Sequence, residues 1–288
     1  MRHEQGIALV QVLLVAGILG LLMLQVGLTT RQQLAHARAI SDRSEAMLLA
    51  QSAEAALVFS LLTSPLQEQP GSENPYAAAW NFRGEPFRVG KTTFSIQDES
   101  GLQPVPLFGS GGFTSALSTL GVDPARARRL GAQLMELQGA DPTGVARAPL
   151  YPLQAHQQLL LLPDMDPDLY AQLSRVMTLY PTPGFNWMTA PQEIQGVGLT
   201  DSQVQGLEEL RRSGSLNAMT RWKLTGVEDD ERAVFGPGPG LRVTVGVRSG
   251  EALFSRMTTY AIRPYATDAL TVWQREAGPG LAGDELGE

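Results

Sequence analysis

A run of apolar residues from Ile7 to Leu28 stands directly behind a short polar leader, Met1 to Gly6. Wound as a helix at about 1.5 Å per residue it is about 33 Å long, which matches a bilayer hydrocarbon core of roughly 30 Å. The run therefore predicts a membrane-spanning helix. A secretory signal has a shorter apolar region with a small-x-small cleavage site behind it, whereas here the nearest small residues lead into Arg31-Gln32-Gln33 and more helix-forming sequence. The segment is expected to stay on the chain, so everything after it must fold on one side of an anchor.

The anchor continues into an amphipathic pattern. Ala46, Ala50, Ala53, Leu57 and Leu61 recur at steps of four, three, four and four, which places them on one helical face, and no proline occurs before Pro65. A helix from Ile7 to about Leu62 would be about 84 Å long, half in the membrane and half packed on a soluble domain. A separate anchor and amphipathic helix, bent near Thr29-Thr30, is the alternative, since nothing local forbids a bend.

Composition bounds the chemistry. At 288 residues, 43% hydrophobic and 18% charged, the chain has the content of one large or two modest globular domains. It has no cysteine, which excludes disulfides, thiolate nucleophiles and cysteine-bound zinc. The net charge is −7, and Glu276, Asp284, Glu285 and Glu288 supply four of the negative charges, leaving about −3 on the rest. That balance opposes a polyanionic partner.

Beyond the long helix, residues 65–101 combine a Pro/Gly-rich connection, Leu66 to Gly84, with a hairpin of Pro86 to Val89 and Thr92 to Ile96 about Gly90-Lys91. The pattern then turns helical from about Thr114 to Arg212. Helices are predicted over Ser115 to Leu120, Asp123 to Leu137, Pro152 to Leu162, Pro167 to Leu179 and Thr200 to Arg212, with starts at Asp123-Pro124, Asp166-Pro167 and Thr200-Asp201. Strands return at Arg221 to Thr225, Leu241 to Val247, Leu253 to Ile262 and Leu270 to Gln274. Gly236 to Gly240 reads as a turn-rich connector without a functional role. The expected fold is α+β: a long N-terminal helix on an antiparallel sheet built from 65–101 and 216–275, with an α-helical domain, 102–215, inserted between strands. Residues 276–288 have the Gly and acid content of a disordered tail.

The leader Met1-Arg2-His3-Glu4-Gln5-Gly6, with Ile7-Ala8-Leu9-Val10-Gln11 directly behind it, resembles the class III leader of type IV pilins and type II secretion pseudopilins. The resemblance implies a pilin-like fold. It also implies cleavage by a prepilin peptidase between Gly6 and Ile7, N-methylation of Ile7, an expected division of the helix into a membrane half 7–28 and a periplasmic half 29–64, and removal of 1–6. The fifth mature position, a glutamate in most pilins, is Gln11. Buried charge in lipid is costly unless paired, so a subunit with no neighbour above it gains from losing that charge. Together with the helical insertion, this resembles the minor pseudopilin K family of type II secretion. Asp98-Glu99-Ser100-Gly101-Leu102, Leu159-Leu160-Leu161-Leu162-Pro163-Asp164-Met165 and Phe185-Asn186-Trp187-Met188-Thr189-Ala190-Pro191 follow family segments. Met188 replaces the second asparagine of an Asn-x-Asn-Thr-Ala-Pro element, and Leu137 to Asp141 is a degraded acidic segment, marking a divergent member.

The family implies a non-enzymatic subunit that caps the tip of a periplasmic pseudopilus and helps start its assembly. Its partners would be minor pseudopilins I and J, then H and the major pseudopilin G, with an inner-membrane assembly platform. The chain would be a single-pass inner-membrane protein with a cytoplasmic N-terminus. That orientation rests on the leader, because Arg31, Arg38 and Arg43 follow the apolar run and the positive-inside rule does not supply it. Gly17, Gly20 and Gly27 would let partner anchors approach closely.

Three features invite other readings. Gly196-Val197-Gly198 resembles the hairpin of a helix-hairpin-helix module, which makes a membrane-tethered nucleic-acid-binding protein the alternative. However, Gln192 to Ser215 carries four acids against Arg211 and Arg212, so no nucleic-acid partner is expected. Asp164, Asp166 and Asp168 alternate like the start of a calcium loop. Leu169 and Arg175 stand where that loop needs glycine and glutamate, so helix capping is the favoured role and no cofactor is assigned, calcium in another geometry remaining open. His3, His36 and His156 have no catalytic partner in the sequence and are expected on the surface.

Overall fold

The computed structural model of the chain describes residues 4–105, 111–140, 153–180, 182, 184–195, 199–226 and 236–278, with side chains from residue 13 onward in the first helix. That helix, α1, runs unbroken from Glu4 to Thr63. No bend interrupts Thr29-Thr30, where each hydroxyl donates to the carbonyl four residues back, Gln25 O and Val26 O, within the helical ladder. Its two halves differ in surroundings. Leu13, Leu21, Met23 and Leu28 are exposed, and the helix is long and apolar enough to cross a membrane. By contrast Ala46, Ala50, Leu57 and Leu61 are fully buried, and Ala53 packs beside them, the face that the four-three-four-four spacing predicts.

These residues rest on a sheet of five strands: β1 (Phe87–Val89), β2 (Thr92–Asp98), β5 (Gly240–Ser249), β6 (Ala252–Ile262) and β7 (Leu270–Ala277). Their order across the sheet is β1-β2-β5-β6-β7, antiparallel throughout. In β5, Leu241, Val243, Val245 and Val247 alternate toward the helix, where they meet Phe94 and Ile96 of β2 and Tyr260 and Ile262 of β6. Glu54 of α1 enters this apolar layer as a buried carboxylate. It accepts hydrogen bonds from Thr258 Oγ1 (2.9 Å) and Tyr260 OH (2.5 Å) and pairs with Arg256, so the helix is pinned to β6 by polar as well as apolar contacts.

Between β2 and β5 lies the helical region: α3 (Gly111–Thr119), α4 (Pro124–Leu137), a 3₁₀ turn (His156–Leu161), α5 (Pro167–Val176), α6 (Gln192–Gln195), α7 (Asp201–Arg212) and α8 (Ala218–Thr225). It has its own core, with Phe113, Leu117, Leu130, Leu134, Leu159 and Leu173 at its centre. A short parallel pair, β3 (Gln103–Pro104) with β4 (Met177–Thr178), ties its entry to the end of α5.

Several expectations are corrected. Arg221 to Thr225 is the last helix, not a strand, and the sheet resumes only at Gly240. Local caps outweigh the β propensity of Trp222 and Thr225: Asn217 Oδ1 accepts from Thr220 N, Thr220 Oγ1 accepts from Asn217 N, and Gly226 closes the C-terminus onto Trp222 O. The connection Leu66 to Gly84 contains a helix, α2 (Pro75–Ala79), started by an Asn74 cap with proline at its first position. The helix predicted to Leu179 stops at Val176 because Met177 and Thr178 pair with β3. Leu162 ends a 3₁₀ turn rather than an α-helix.

Candidate functional site

The segments 98–102 and 185–191, far apart in sequence, meet where the sheet joins the helical region. The Asp98 carboxylate is fully buried and accepts four hydrogen bonds. Oδ1 takes Ser100 N (2.9 Å) and Gly238 N (3.2 Å), and Oδ2 takes Thr189 Oγ1 (2.8 Å) and Asn186 Nδ2 (3.0 Å). Burial pushes this carboxyl above its ordinary range, against the pull of its four donors toward the anion. Asn186 holds the rest of the corner. Its Nδ2 also donates to Gly236 O, its backbone N donates to Ser100 O, and its Oδ1 accepts from Met188 N. Met188 contributes its backbone N to this corner.

Glu99, beside it, is equally buried and faces Arg242 of β5. Arg242 Nε and Nη2 reach the two carboxylate oxygens at 2.8 and 3.2 Å, while Nη1 donates to Ser174 O and Nη2 to Met177 O. One guanidinium thus binds the sheet to the C-terminal end of α5. His156, expected on the surface, is buried here instead. Burial first, and the nearby Arg242 charge second, lower its pKa to about 3, so the ring is neutral.

The connector Gly236 to Gly240, expected to have no role beyond a turn, closes the corner. A Cβ on Gly101 would lie 2.5 Å from Thr189 O, so that position admits no side chain, and one on Gly238 would lie 2.3 Å from Ser100 Oγ, so a side chain there requires the serine hydroxyl to turn away. Sequence reasoning missed His156, Arg242 and Gly238. An isolated arginine in a β-patterned strand was the only available signal for the second. Every oxygen of Asp98 and Glu99 is engaged, while Nε2 of the neutral His156 is buried without a hydrogen-bond partner; the cluster is a clamp between two cores.

The other predicted residues lie apart from this clamp. Asp166 caps α5 through Leu169 N (2.7 Å) and pairs with Arg126 (2.5 Å), whose guanidinium holds its carboxyl below the usual range; Asp164 pairs with Arg129 (3.0 Å). Both carboxylates therefore already face a cation, and Asp168 is exposed in the first turn of the helix. Among the described residues no three His, Asp or Glu side chains converge as a metal set. Gly17, Gly20 and Gly27 flank open space, with nothing within 4 Å of a built Cβ, and His36 is exposed. Gly6, Ile7 and Gln11 are on the α1 backbone, but the surroundings of Gly6 and the side chains of Ile7 and Gln11 are not described, and His3, Gly196 to Gly198 and the tail from residue 279 lie outside the described residues.

A 60-residue helix, exposed over residues 13–41 and docked beyond them on an antiparallel sheet, with a helical region between two neighbouring strands, is a pilin-like α+β architecture. The solved GspK-GspI-GspJ complex from the type 2 secretion system of enterotoxigenic Escherichia coli contains a similar chain. The alignment covers 87% of this chain and 99% of that one, at 15% identity and a TM-score of 0.47. No family model and no curated protein matches the chain.

Proposed function

We propose that this chain is a non-enzymatic minor pseudopilin of a type II secretion system, anchored in the inner membrane and capping the tip of a periplasmic pseudopilus. The observation that carries the reading is α1 itself. One rigid helix presents an exposed apolar half, with Gly17 and Gly20 open for helix packing, and a second half committed to a sheet. Such a helix transmits assembly in the membrane to a soluble head. The helical region of residues 102–226 supports the tip position, because a mass inserted between β2 and β5 widens the head beyond what a closely packed shaft admits. Gln11 supports it from the other end, since the last subunit has no neighbour whose amine would compensate a glutamate. Partners I and J, and then H and G, follow from the same reading.

Mass spectrometry of the N-terminus of the full chain purified from membranes tests the reading. A chain beginning at N-methylated Ile7 is expected, and an intact Met1 overturns it. Co-expression with the other minor subunits then tests the tip position: the chain should co-purify with I-like and J-like subunits, and recovery with the major subunit alone would move it into the shaft.

A further inference from the structure

The end of the head nearest the apolar half of α1 is cationic. The β1–β2 turn at Gly90-Lys91 and the β5–β6 turn at Ser249 to Glu251 lie side by side, because Thr92 pairs with Val247 across β2 and β5. Contacts with α1 fix the height of this end: Glu45 accepts a hydrogen bond from Ser249 Oγ at 3.0 Å, and Gly250 lies against the Asp42 carboxylate. Arg88, Lys91 and Arg248 are exposed there. Below them the bare stem of α1 carries exposed Arg31 and Arg38, with Arg43 just above, and no acid occurs from Gly6 to Ser41. Steps of seven, four and three put Arg31 and Arg38 on the helical face of Asp42 and Glu45, the face that meets the β5–β6 turn. These six cations face three acids, Asp42, Glu45 and Glu251, on a chain whose net charge is −7, so positive charge is concentrated at one end of the head.

We propose that this end of the head, with the stem below it, docks on the anionic phospholipid headgroups around the anchor. Two observations select lipid over an acidic polypeptide. The cationic surface continues directly from the membrane span, and Leu34 and Ile40 are exposed between its arginines, a mixture that suits the headgroup boundary. From Arg31 to Asp42 the helix rises about 16 Å, so an upright α1 holds the head clear of the bilayer. A lean toward the β1–β2 side, within the roughly 40° that spanning helices adopt, lowers Arg88 and Lys91 toward the headgroups. Anionic lipid then favours the leaning state, and neutral lipid does not. The contact also gives a role to Arg31, Arg38 and Arg43, which the positive-inside rule leaves unexplained behind the apolar run. It rests on α1 as a membrane anchor and not on the pseudopilin reading.

The test uses the full chain reconstituted in vesicles of pure phosphatidylcholine, or of phosphatidylcholine and phosphatidylglycerol in equal parts. Because the chain has no cysteine, L253C, at an exposed position paired with Arg248, takes a single donor dye, and a headgroup-labelled lipid is the acceptor. Energy transfer should rise in the mixed vesicles. Salt at about 1 M, where the Debye length is about 3 Å, should return it to the neutral-lipid value. The double reversal R88E/K91E, at exposed residues outside the core, should abolish the rise. R212E, at an exposed residue beside Arg83 near the opposite end of β2, should keep it. A chain stripped from the vesicles by alkaline carbonate overturns the anchor and the contact together. A retained chain whose transfer ignores phosphatidylglycerol, an undiminished rise in R88E/K91E, or an equal loss in R212E overturns the contact alone. Transfer that ignores phosphatidylglycerol while added polyglutamate binds the wild-type chain but not R88E/K91E would overturn it in favour of an acidic polypeptide.

Discussion

Asp98→Asn is a small change in volume and a large one in hydrogen bonding. Both carboxylate oxygens accept two donors each, so an amide placed in either orientation sets its NH₂ against two N–H or O–H groups. The expected loss is about 2–4 kcal/mol, read as a lowered urea midpoint with an unchanged slope. His156 makes a prediction in pH. Its folded pKa of about 3 lies below the 6.5 of a free histidine, so the unfolded chain binds the proton more readily. Its contribution is therefore complete above pH 6.5 and is lost as pH falls toward 3. At pH 5 the loss is about 2 kcal/mol, and a His156→Leu variant should show a flatter stability profile between pH 7 and 5. A profile of unchanged steepness would mean the ring is not buried as a neutral base.

The two halves of α1 should respond to mutation in opposite ways. Leu57 is fully buried against the sheet, so Leu57→Ala is expected to destabilise the head by about 2–5 kcal/mol through lost burial and a cavity. Leu21 touches nothing in the head, and Leu21→Ala should leave its unfolding within roughly 0.5 kcal/mol of wild type. Any effect at Leu21 would belong to packing of the exposed apolar half. The docked half of α1 is legible in the sequence because its buried face repeats at a helical period over four turns, whereas its continuity through Thr29-Thr30 is decided only by the structure. The last helix is not legible, since Trp222 and Thr225 carry strand propensity and the helix depends on the reciprocal cap between Asn217 and Thr220. The 3₁₀ turn carrying His156 resembles a surface helix start in the sequence, because nothing nearby announces that the helical region closes over it.

Among the described residues two apolar cores meet across the polar Asp98–Glu99 clamp and a Tyr180 ring stacked on Trp273 of β7. Among the described residues the apolar core under α1 contains none from 99–239, and Asp98 and Leu241 are paired across neighbouring strands. Replacing 99–239 and Gly240 with Asn-Gly should therefore close β2 onto β5 as a hairpin. The shortened chain is expected to keep a cooperative thermal transition, followed by near-ultraviolet circular dichroism, but to lose stability as Arg242 is left without Glu99. A non-cooperative melt would show that the head needs its helical region to fold.

The anchor, the long helix, the hairpin, the last three strands and most helix starts can be read from residue order, because each rests on local quantities: an apolar length, a period, a cap. The clamp cannot. Asp98 with Asn186 and Gly238, Glu99 with Arg242, and Arg242 beside His156 are separated by dozens of residues, and each alone is an ordinary polar residue. Their meaning comes from burial, which makes an unpaired charge or donor costly and a satisfied one specific, and burial exists only once the sheet and the helical region have closed on one another.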